Sequence, residues 1–259
     1  MQRILSQTES LLASVFAKAN VDSGHSVGHA LKVTSHVAKA VEAEAAGSLR
    51  VDQRLSLLLA AMLHDADDHK FFPTHQAHEN SVEILGKVLG DKESMEVEGT
   101  SINPASVVTT VTTIIDRVST SKAKNAPAPE GQEWTLIVRW ADRLEAIGEI
   151  GIVRCYSYNQ HSGSPLFVET TPRVTTEEEL ATVATPERFA RYTGGSDSMM
   201  DHYYDKLLHV GHLDGCSNSY LLAEAERRRQ TMIDFVLAFG RTGTVDEAAL
   251  AALAAAEDA

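Results

Sequence analysis

The segment 54–65, RLSLLLAAMLHD, constrains the fold most, because it is apolar almost all round and ends in two ionisable residues. A helix that is apolar on every side is buried on every side. His64 and Asp65 therefore lie at the end of a buried helix, where polar groups cost several kcal/mol unless they are paired or bind a metal ion. Any fold of this chain must surround this helix and supply partners for its polar end.

Helical periodicity extends through nearly the whole chain and predicts an all-α fold. The first helix includes Leu5 to Phe16, and the second is capped by Asp22 or Ser23 and ends near Ala46. Further helices are predicted over 54–65, 75–89, 105–119, 133–158, 197–212 and 217–239. Pro, Gly and small polar residues predict a loop over 121–131.

The polar segment 161–184, which contains Pro165 and Pro172, is predicted to be a long loop before the C-terminal helices. Loops of this length in a compact domain are usually functional, so we expect it to form a lid over the substrate pocket. The sequence predicts one helical domain over 1–240. The Ala-rich end, 241–259, is expected to be a frayed helix or a disordered tail.

The charge balance argues against nucleic acid as a partner. Acidic residues outnumber basic ones 36 to 23, and the net charge is −13, whereas binding to a duplex requires clustered Lys and Arg. No apolar run approaches the roughly 20 residues that a membrane span needs, so no membrane partner is expected. Two cysteines, Cys155 and Cys216, cannot form a disulfide framework, which favours a reducing, cytoplasmic location.

Histidines cluster near the N-terminus, where seven of the eleven lie between residues 25 and 78. His29 lies on the second predicted helix, His64 and Asp65 end the buried helix, and Asp142 lies within a later apolar helix. Imidazole and carboxylate groups together suit a divalent ion such as Mn, Fe, Co, Ni or Zn. Taken singly, each residue is better explained as a core polar group with a satisfied partner than as a metal ligand.

The order His29, His64-Asp65, Asp142 resembles the HD-domain superfamily of metal-dependent phosphohydrolases, whose ligands follow the pattern H…HD…D on separate helices. Three blocks are similar to those of one bacterial subfamily: GHSVGHALKV (24–33), LHDADDHKF (63–71) and ADRLEAIGEIGIVR (141–154). The chain departs from the subfamily at four positions that are not expected ligands, namely Ser26, Lys32, Trp140 and Glu145. The resemblance implies an HD-domain-like helical bundle with its metal site within 24–158.

The resemblance further implies that one divalent ion is held by His29, His64, Asp65 and Asp142. Mn is the expected ion, with Co, Ni, Fe, Zn and Mg as alternatives. Some HD proteins hold a second metal through additional histidines. His69, His75 and His78 lie in that interval here, but we expect His75 and His78 in a solvated helical turn after Pro73 and therefore expect one metal.

Catalytic and substrate-binding roles follow from the same resemblance. Asp68 would orient or deprotonate the attacking water, and its alternative is a solvated cap carboxylate, the role expected of its neighbour Asp67. Lys70 and Arg143 would bind the phosphate, Lys70 also assisting catalysis, with His25 as a third contact. The alternative for Arg143 is an ion pair on its own helix with Glu145 or Glu149. His36 is expected to be a core residue or to lie just behind the ligands.

The expected activity is hydrolysis of a small phosphorylated molecule by a metal-bound water. The resemblance implies a nucleoside triphosphate cleaved to the monophosphate and pyrophosphate. Three alternatives remain open: a nucleoside monophosphate phosphatase, a di-iron HD-type oxygenase, and a metal-stabilised nucleotide-binding protein without activity. The expected assembly is a monomer or homodimer.

Overall fold

Helices form nearly all of the regular structure in residues 1–19, 21, 26–45, 47–118 and 126–257, which are the residues that this computed structural model describes. The all-α prediction is confirmed. The chain divides into two compact units. Unit 1 comprises Met1–Asp142 and Gly215–Leu221, and unit 2 comprises Arg143–Asp214 and Leu222–Ala259.

The helices of unit 1 pack around the third helix. In chain order they are α1 (Gln2–Ala19), α2 (Val27–Ala43), α3 (Val51–Leu63), α4 (Glu79–Leu89) and α5 (Pro104–Val118), followed by a 3₁₀ turn (Glu133–Leu136) and α6 (Ile137–Leu144), which reaches the boundary of the unit. Every residue of α3 from Leu55 to Leu63 is buried. Helices α2 and α5 pack against α3, and α1 packs against α4. The sequence-based prediction of a helix buried on every side is therefore confirmed.

A short antiparallel hairpin interrupts the helices of unit 1. Strands β1 (Met95–Val97) and β2 (Thr100–Ile102) pair with Met95 opposite Ile102. Glu98 and Gly99 connect them, and both have positive φ, as a tight hairpin turn requires. Three-residue strands are too short to show an alternating pattern, which explains why the sequence did not predict them.

The predicted continuous helix over 133–158 is wrong in its middle. Ile147 is extended and Gly148 has a φ of +77°, so the helix that begins at Gly148 is separate from α6. A Cβ atom at Gly148 would lie 3.0 Å from side-chain carbons of Arg228, and one at Gly151 would collide with the carbonyl oxygen of Ala146. The chain breaks here because only glycine fits both the backbone angle and the space.

Unit 2 is built on two long helices and several short ones. They are α7 (Gly148–Ser162), α8 (Glu177–Val183), α9 (Pro186–Ala190), α10 (Met199–His202), a π-helical turn (Tyr203–Leu207), α11 (Leu208–Val210), α12 (Ser219–Thr242, which begins in unit 1) and α13 (Glu247–Glu257). Helices α10 and α13 pack against α7. Tyr203 and Tyr204 are among the largest fully buried side chains.

The segment 161–184 is only partly a loop. It contains α8, capped by the Thr176 hydroxyl, which accepts from the Glu179 amide, and both Val174 and Leu180 are buried. The lid role and the single domain over 1–240 stay predictions. The Ala-rich end is likewise more ordered than expected, since α13 is helical and Leu250 is buried.

Helix boundaries elsewhere differ from the predictions by a few residues. Helix α2 begins after Ser26, whose hydroxyl accepts from the His29 amide, and ends at Ala43 rather than near Ala46. The predicted caps Asp22 and Ser23 lie outside the described residues. Within the described residues, none of the helices combines the length and the apolar character that crossing a bilayer requires.

Candidate metal centre

Three helices of unit 1 deliver the predicted metal ligands. His29 lies in the first turn of α2, His64 directly follows the last residue of α3, and Asp142 lies near the end of α6. Asp65 follows His64 in the turn that leaves α3. The burial of α3 on all sides is what carries His64 into the interior, where its side chain is 2% exposed.

The side chains of these residues converge. His29 Nε2 lies 3.2 Å from Asp142 Oδ1 and 3.7 Å from Asp65 Oδ2. His64 Nε2 lies 3.5 Å from Asp142 Oδ1 and 3.3 Å from Asp65 Oδ2. The two rings meet edge to face, with centroids 5.3 Å apart. Two imidazole nitrogens thus face two carboxylates in a single cluster.

His64 is held in one orientation by its own helix. Its Nδ1–H donates to the carbonyl oxygen of Ala61 at 2.8 Å. Because the carbonyl can only accept, this bond fixes the proton on Nδ1 and leaves the Nε2 lone pair directed at the carboxylates. Nε2 is buried and has no hydrogen-bond partner among the described residues. A buried acceptor without a partner, with the other ring nitrogen bonded to a carbonyl, is typical of a metal-ligating histidine.

The electrostatics of the cluster favour a positive charge at its centre. Burial opposes protonation of His64, but the charges of Asp65 and Asp142 outweigh it and raise the pKa of this imidazole well above its ordinary value. Without an ion, a second proton therefore occupies Nε2, and a bound ion would take the place of that proton. Burial would raise the pKa of Asp142, yet the adjacent imidazoles of His29 and His64 hold that pKa far below its usual range. The pKa of Asp65 is also lowered, as the charge of His64 outweighs burial. Both carboxylates are therefore ionised and attract a cation.

The donor set fits a divalent metal ion. One ligand atom each from His29, His64 and Asp142 lies within 4.8 Å of the others, and Asp65 contacts both imidazoles. The imidazole side chains are 8% and 2% exposed, whereas those of Asp65 and Asp142 are 19% and 33% exposed. Nitrogen and oxygen donors of this kind suit Mn, Fe, Co, Ni or Zn. The cluster is open on its carboxylate side, where further ligands could reach an ion.

Asp67 and Asp68 follow the ligand pair but differ in their surroundings. Asp67 accepts from the amides of Asn80 and Ser81 and from the Ser81 hydroxyl, so it caps the start of α4. Its side chain is only 9% exposed, however, so the expectation that this carboxylate is solvated is wrong. Asp68 accepts from the Lys70 amide at 2.9 Å and is partly exposed. No bond from the side chain of Asp68 to the ligand cluster occurs in the structure, and its proposed work on water stays a prediction.

The residues that were predicted to contact the substrate lie in different surroundings from one another. Lys70 is exposed, and its Nζ lies 4.9 Å from the centroid of the Phe71 ring. Arg143 directly follows Asp142 on α6. Glu145, one of the two partners considered for Arg143 in the alternative to phosphate binding, is buried and pairs with Arg228 at 3.1 Å. His25 lies outside the described residues. The roles of these residues toward substrate stay predictions.

His75 and His78 do not lie in a solvated helical turn, so that expectation is wrong. They precede α4, with side chains 29% and 12% exposed. His75 Nδ1 lies 3.9 Å from Asp67, and His78 Nε2 lies 3.1 Å from Asp116. Neither joins the three-residue ligand group. The sequence did not single out Asp116, because its partner is distant in the chain.

His36 is buried, as expected, and its Nδ1 lies 2.6 Å from the Tyr220 hydroxyl. Tyr220 belongs to the segment Gly215–Leu221, the return segment, in which the chain comes back to unit 1. The return segment also carries Asn218, which donates to the carbonyl oxygen of Ala40 on α2. These two bonds attach the return segment to the helix that carries His29.

Comparison with known proteins identifies one relative by sequence. No model of a known protein family matches the chain. An uncharacterised protein of Acanthamoeba polyphaga mimivirus, L803, is 39% identical over 236 residues, which cover 90% of this chain and 94% of that protein.

Several solved structures are similar over almost their whole length. An HD-superfamily hydrolase of Bacillus thuringiensis has a TM-score of 0.61 and 23% identity, covering 92% of this chain and 95% of that one. A Lactobacillus plantarum protein has a TM-score of 0.59 and 24% identity, covering 92% and 96%. Bacillus subtilis YpgQ, crystallised in complex with ADP, has a TM-score of 0.56 and 19% identity, covering 93% and 95%. At these identities the similarity establishes a shared fold.

Proposed function

The chain belongs to the same family as mimivirus protein L803 and has the helical fold of an HD-superfamily hydrolase, and from these findings we propose that it is a metal-dependent phosphohydrolase. The observation that carries the proposal is the cluster itself. Two imidazoles and two carboxylates from three segments of the chain face one another, and within the part of the chain that the structure describes the buried Nε2 of His64 has no hydrogen-bond partner. A purely structural cluster would satisfy that atom.

Four residues of this chain would hold the ion: His29, His64, Asp65 and Asp142. When bound, a divalent ion supplies Lewis-acid polarisation of a phosphoryl oxygen and acidifies a coordinated water. The Ala61 carbonyl holds the His64 ring in place for that task. Manganese is the ion that we propose.

The remaining groups would act on the substrate and the attacking water. Asp68 lies in the turn after the ligand pair, where its free carboxylate oxygen would orient the water or accept its proton. Lys70 and Arg143, adjacent in sequence to ligand segments, would offset the charge that develops on the phosphoryl oxygens. In this proposal the backbone turn held by the Asp68–Lys70 bond keeps the base and the cation together.

We propose a nucleoside triphosphate as substrate, cleaved to the monophosphate and pyrophosphate. Two considerations support this choice: the sequence blocks that resemble the pyrophosphohydrolase subfamily, and the ADP bound in the structure of YpgQ. A nucleotide also matches the chemistry of the site, because its phosphates carry the negative charge that Lys70 and Arg143 would bind.

A substrate panel tests the proposal. Purified protein is incubated with nucleoside mono-, di- and triphosphates and Mn, Co, Ni or Mg, and both pyrophosphate and orthophosphate are measured. We expect pyrophosphate from a triphosphate, lost in Asp142→Asn and retained in the control Asp116→Asn, which alters an aspartate paired with histidine outside the cluster. Orthophosphate from monophosphates alone would identify a phosphomonoesterase. Nucleotide binding without any product would contradict hydrolysis.

A further inference from the structure

Unit 2 contains a cavity of its own, of about 400 Å³. Its walls come from the C-terminal half of α7, from the segment 192–199 and from the end of α10 with the π-helical turn that follows. All of the described residues that line it belong to unit 2, and none of them is a predicted ligand of the metal centre. The volume lies in the range of pockets that bind small molecules.

Among the described residues that line this cavity, one carries a positive charge and none is a carboxylate. Lys206 lies on the π-helical turn, with its Nζ 5.6 Å from the centroid of the Tyr192 ring. Within the described residues, Lys206 forms no ion pair. The neighbouring Asp205 binds Arg188 Nε at 2.5 Å and the Ser196 hydroxyl at 2.6 Å, so its charge is already compensated. The net field in the cavity therefore favours an anion.

Three rings stand at the same cavity. Tyr192 and His202 are 5.4 Å apart between centroids, and Tyr158 is 74% exposed, the most exposed of the large apolar side chains. Burial lowers the pKa of His202 to about 4, so its imidazole is neutral at physiological pH and presents an uncharged face. Exposed and neutral rings of this kind provide stacking surfaces for a planar ligand.

Small hydroxyl groups complete the lining. Ser162 and Ser164 hydroxyls lie 2.9 Å apart at the end of α7, and the Ser162 hydroxyl also donates to the carbonyl oxygen of Asn159. Hydroxyl groups can rotate to donate to an anion that enters the cavity. Cys155 also lines the cavity, but burial raises its pKa to about 12, so its thiol is not a nucleophile.

We propose that this cavity binds a small molecule that joins a planar ring to one anionic group, with the ring against Tyr192 and Tyr158 and the anion at Lys206. Phosphate and carboxylate are the two anionic groups that this chemistry accepts. The inference does not depend on the proposed function, since none of its residues belongs to the metal centre.

The test uses the full chain carrying His64→Ala, in EDTA, so that binding at the metal centre is abolished. Adenosine monophosphate and indole-3-acetate are titrated by calorimetry, with adenosine and ribose 5-phosphate as probes that lack the anion or the ring. We expect at least one of the two ring-bearing anions to bind, and both incomplete probes to bind at least about tenfold more weakly. The comparison between the first two distinguishes phosphate from carboxylate.

Variants then assign the binding to its residues. Lys206→Met should weaken binding of the ring-bearing anion about tenfold or more and leave binding of adenosine unchanged. Tyr192→Leu should weaken binding of both compounds. Lys87→Met, which changes an exposed lysine of unit 1, is the matched control and should have no effect. Failure of both ring-bearing anions to bind at millimolar concentration would overturn the proposal, as would binding that Lys206→Met leaves unchanged.

Hydrogen exchange gives a second readout that needs no change in unit 2. In the same His64→Ala chain, the ring-bearing anion should slow exchange in 155–164 and 192–206. Protection confined to unit 1 would contradict the proposal even if calorimetry detects binding.

Discussion

His64 donates from Nδ1 to the carbonyl oxygen of Ala61, one turn earlier on its own helix, at 2.8 Å. The bond fixes which nitrogen carries the proton and directs Nε2 into the cluster that His29, Asp65 and Asp142 complete. The helix therefore sets the tautomer of the proposed ligand, independently of any ion.

The first prediction concerns metal content. Protein purified without chelator should contain about one equivalent of a divalent ion per chain, and His64→Ala should lose most of it, because the change removes a buried ligand. Elemental analysis measures the content. His78→Ala is the control, since His78 pairs with Asp116 outside the ligand group. Added Mn should also raise the melting temperature of the apo protein, as a ligand of the folded state alone must. If added Mn leaves the melting temperature of the apo protein unchanged, the assignment of the cluster as a metal site is contradicted.

The second prediction distinguishes the roles of two neighbouring aspartates, Asp67 and Asp68. Asp68→Asn should keep the metal and reduce turnover by a factor of about 100 to 10,000, the usual worth of general-base assistance. Asp67→Asn should instead keep turnover and lower the free energy of unfolding by about 1–3 kcal/mol, because Asp67 accepts three bonds at the start of α4. Steady-state kinetics and urea unfolding of both variants provide the comparison. Normal turnover in Asp68→Asn would leave the base unidentified.

The third prediction compares two glycines inside helices. Gly86 lies in α4 with nothing within 4 Å of an added Cβ, so Gly86→Ala should raise the free energy of unfolding by about 0.5–1 kcal/mol. Gly240 lies in α12, where a Cβ would collide with the carbonyl oxygen of Val174. Gly240→Ala should therefore destabilise the protein by about 1–3 kcal/mol, as overpacked sites do. If Gly86→Ala and Gly240→Ala shift the unfolding midpoint equally, the close contact between Gly240 and the Val174 carbonyl is contradicted.

The fourth prediction concerns acid stability. Burial lowers the pKa of His202 to about 4, below the ordinary value of 6.5. Between pH 6.5 and pH 4 this imidazole is protonated in the unfolded chain and neutral in the folded protein. The contribution of the neutral His202 to the free energy of unfolding is therefore complete above pH 6.5 and is lost as the pH falls toward 4. The loss is about 2 kcal/mol by pH 5, at 1.36 kcal/mol per pKa unit. His202→Gln removes the titration, so the difference in stability between wild type and variant should change between pH 7.5 and pH 5. A constant difference would contradict the buried neutral state.

The sequence predicted the centre of the fold because burial and periodicity are local signals. The apolar run of α3 predicted both a buried helix and the interior position of His64, and the structure bears out both. The convergence of His29 and Asp142 on that position followed from the HD resemblance, since no local pattern reports contacts between distant helices.

The features that the sequence missed depend on contacts between distant residues. The break between α6 and α7 arises because Arg228 and a turn of the backbone leave room only for glycine at 148 and 151. The pairing of His78 with Asp116 and the order of α13 likewise depend on neighbours far along the chain. The cavity around Lys206 depends on a π-helical turn, which has no sequence signature of its own.

The three helices that supply the ligands are far apart in the chain, and this gives a bound ion a mechanical role. An ion held by α2, the end of α3 and α6 would crosslink segments that no short loop connects. The cost of closing such long loops is met during folding, before the ion can bind. Because the cluster is open on its carboxylate side, the ion could leave without the helices parting. While it is bound, however, separation of these helices would cost its binding free energy, so we expect the ion to slow the opening of unit 1.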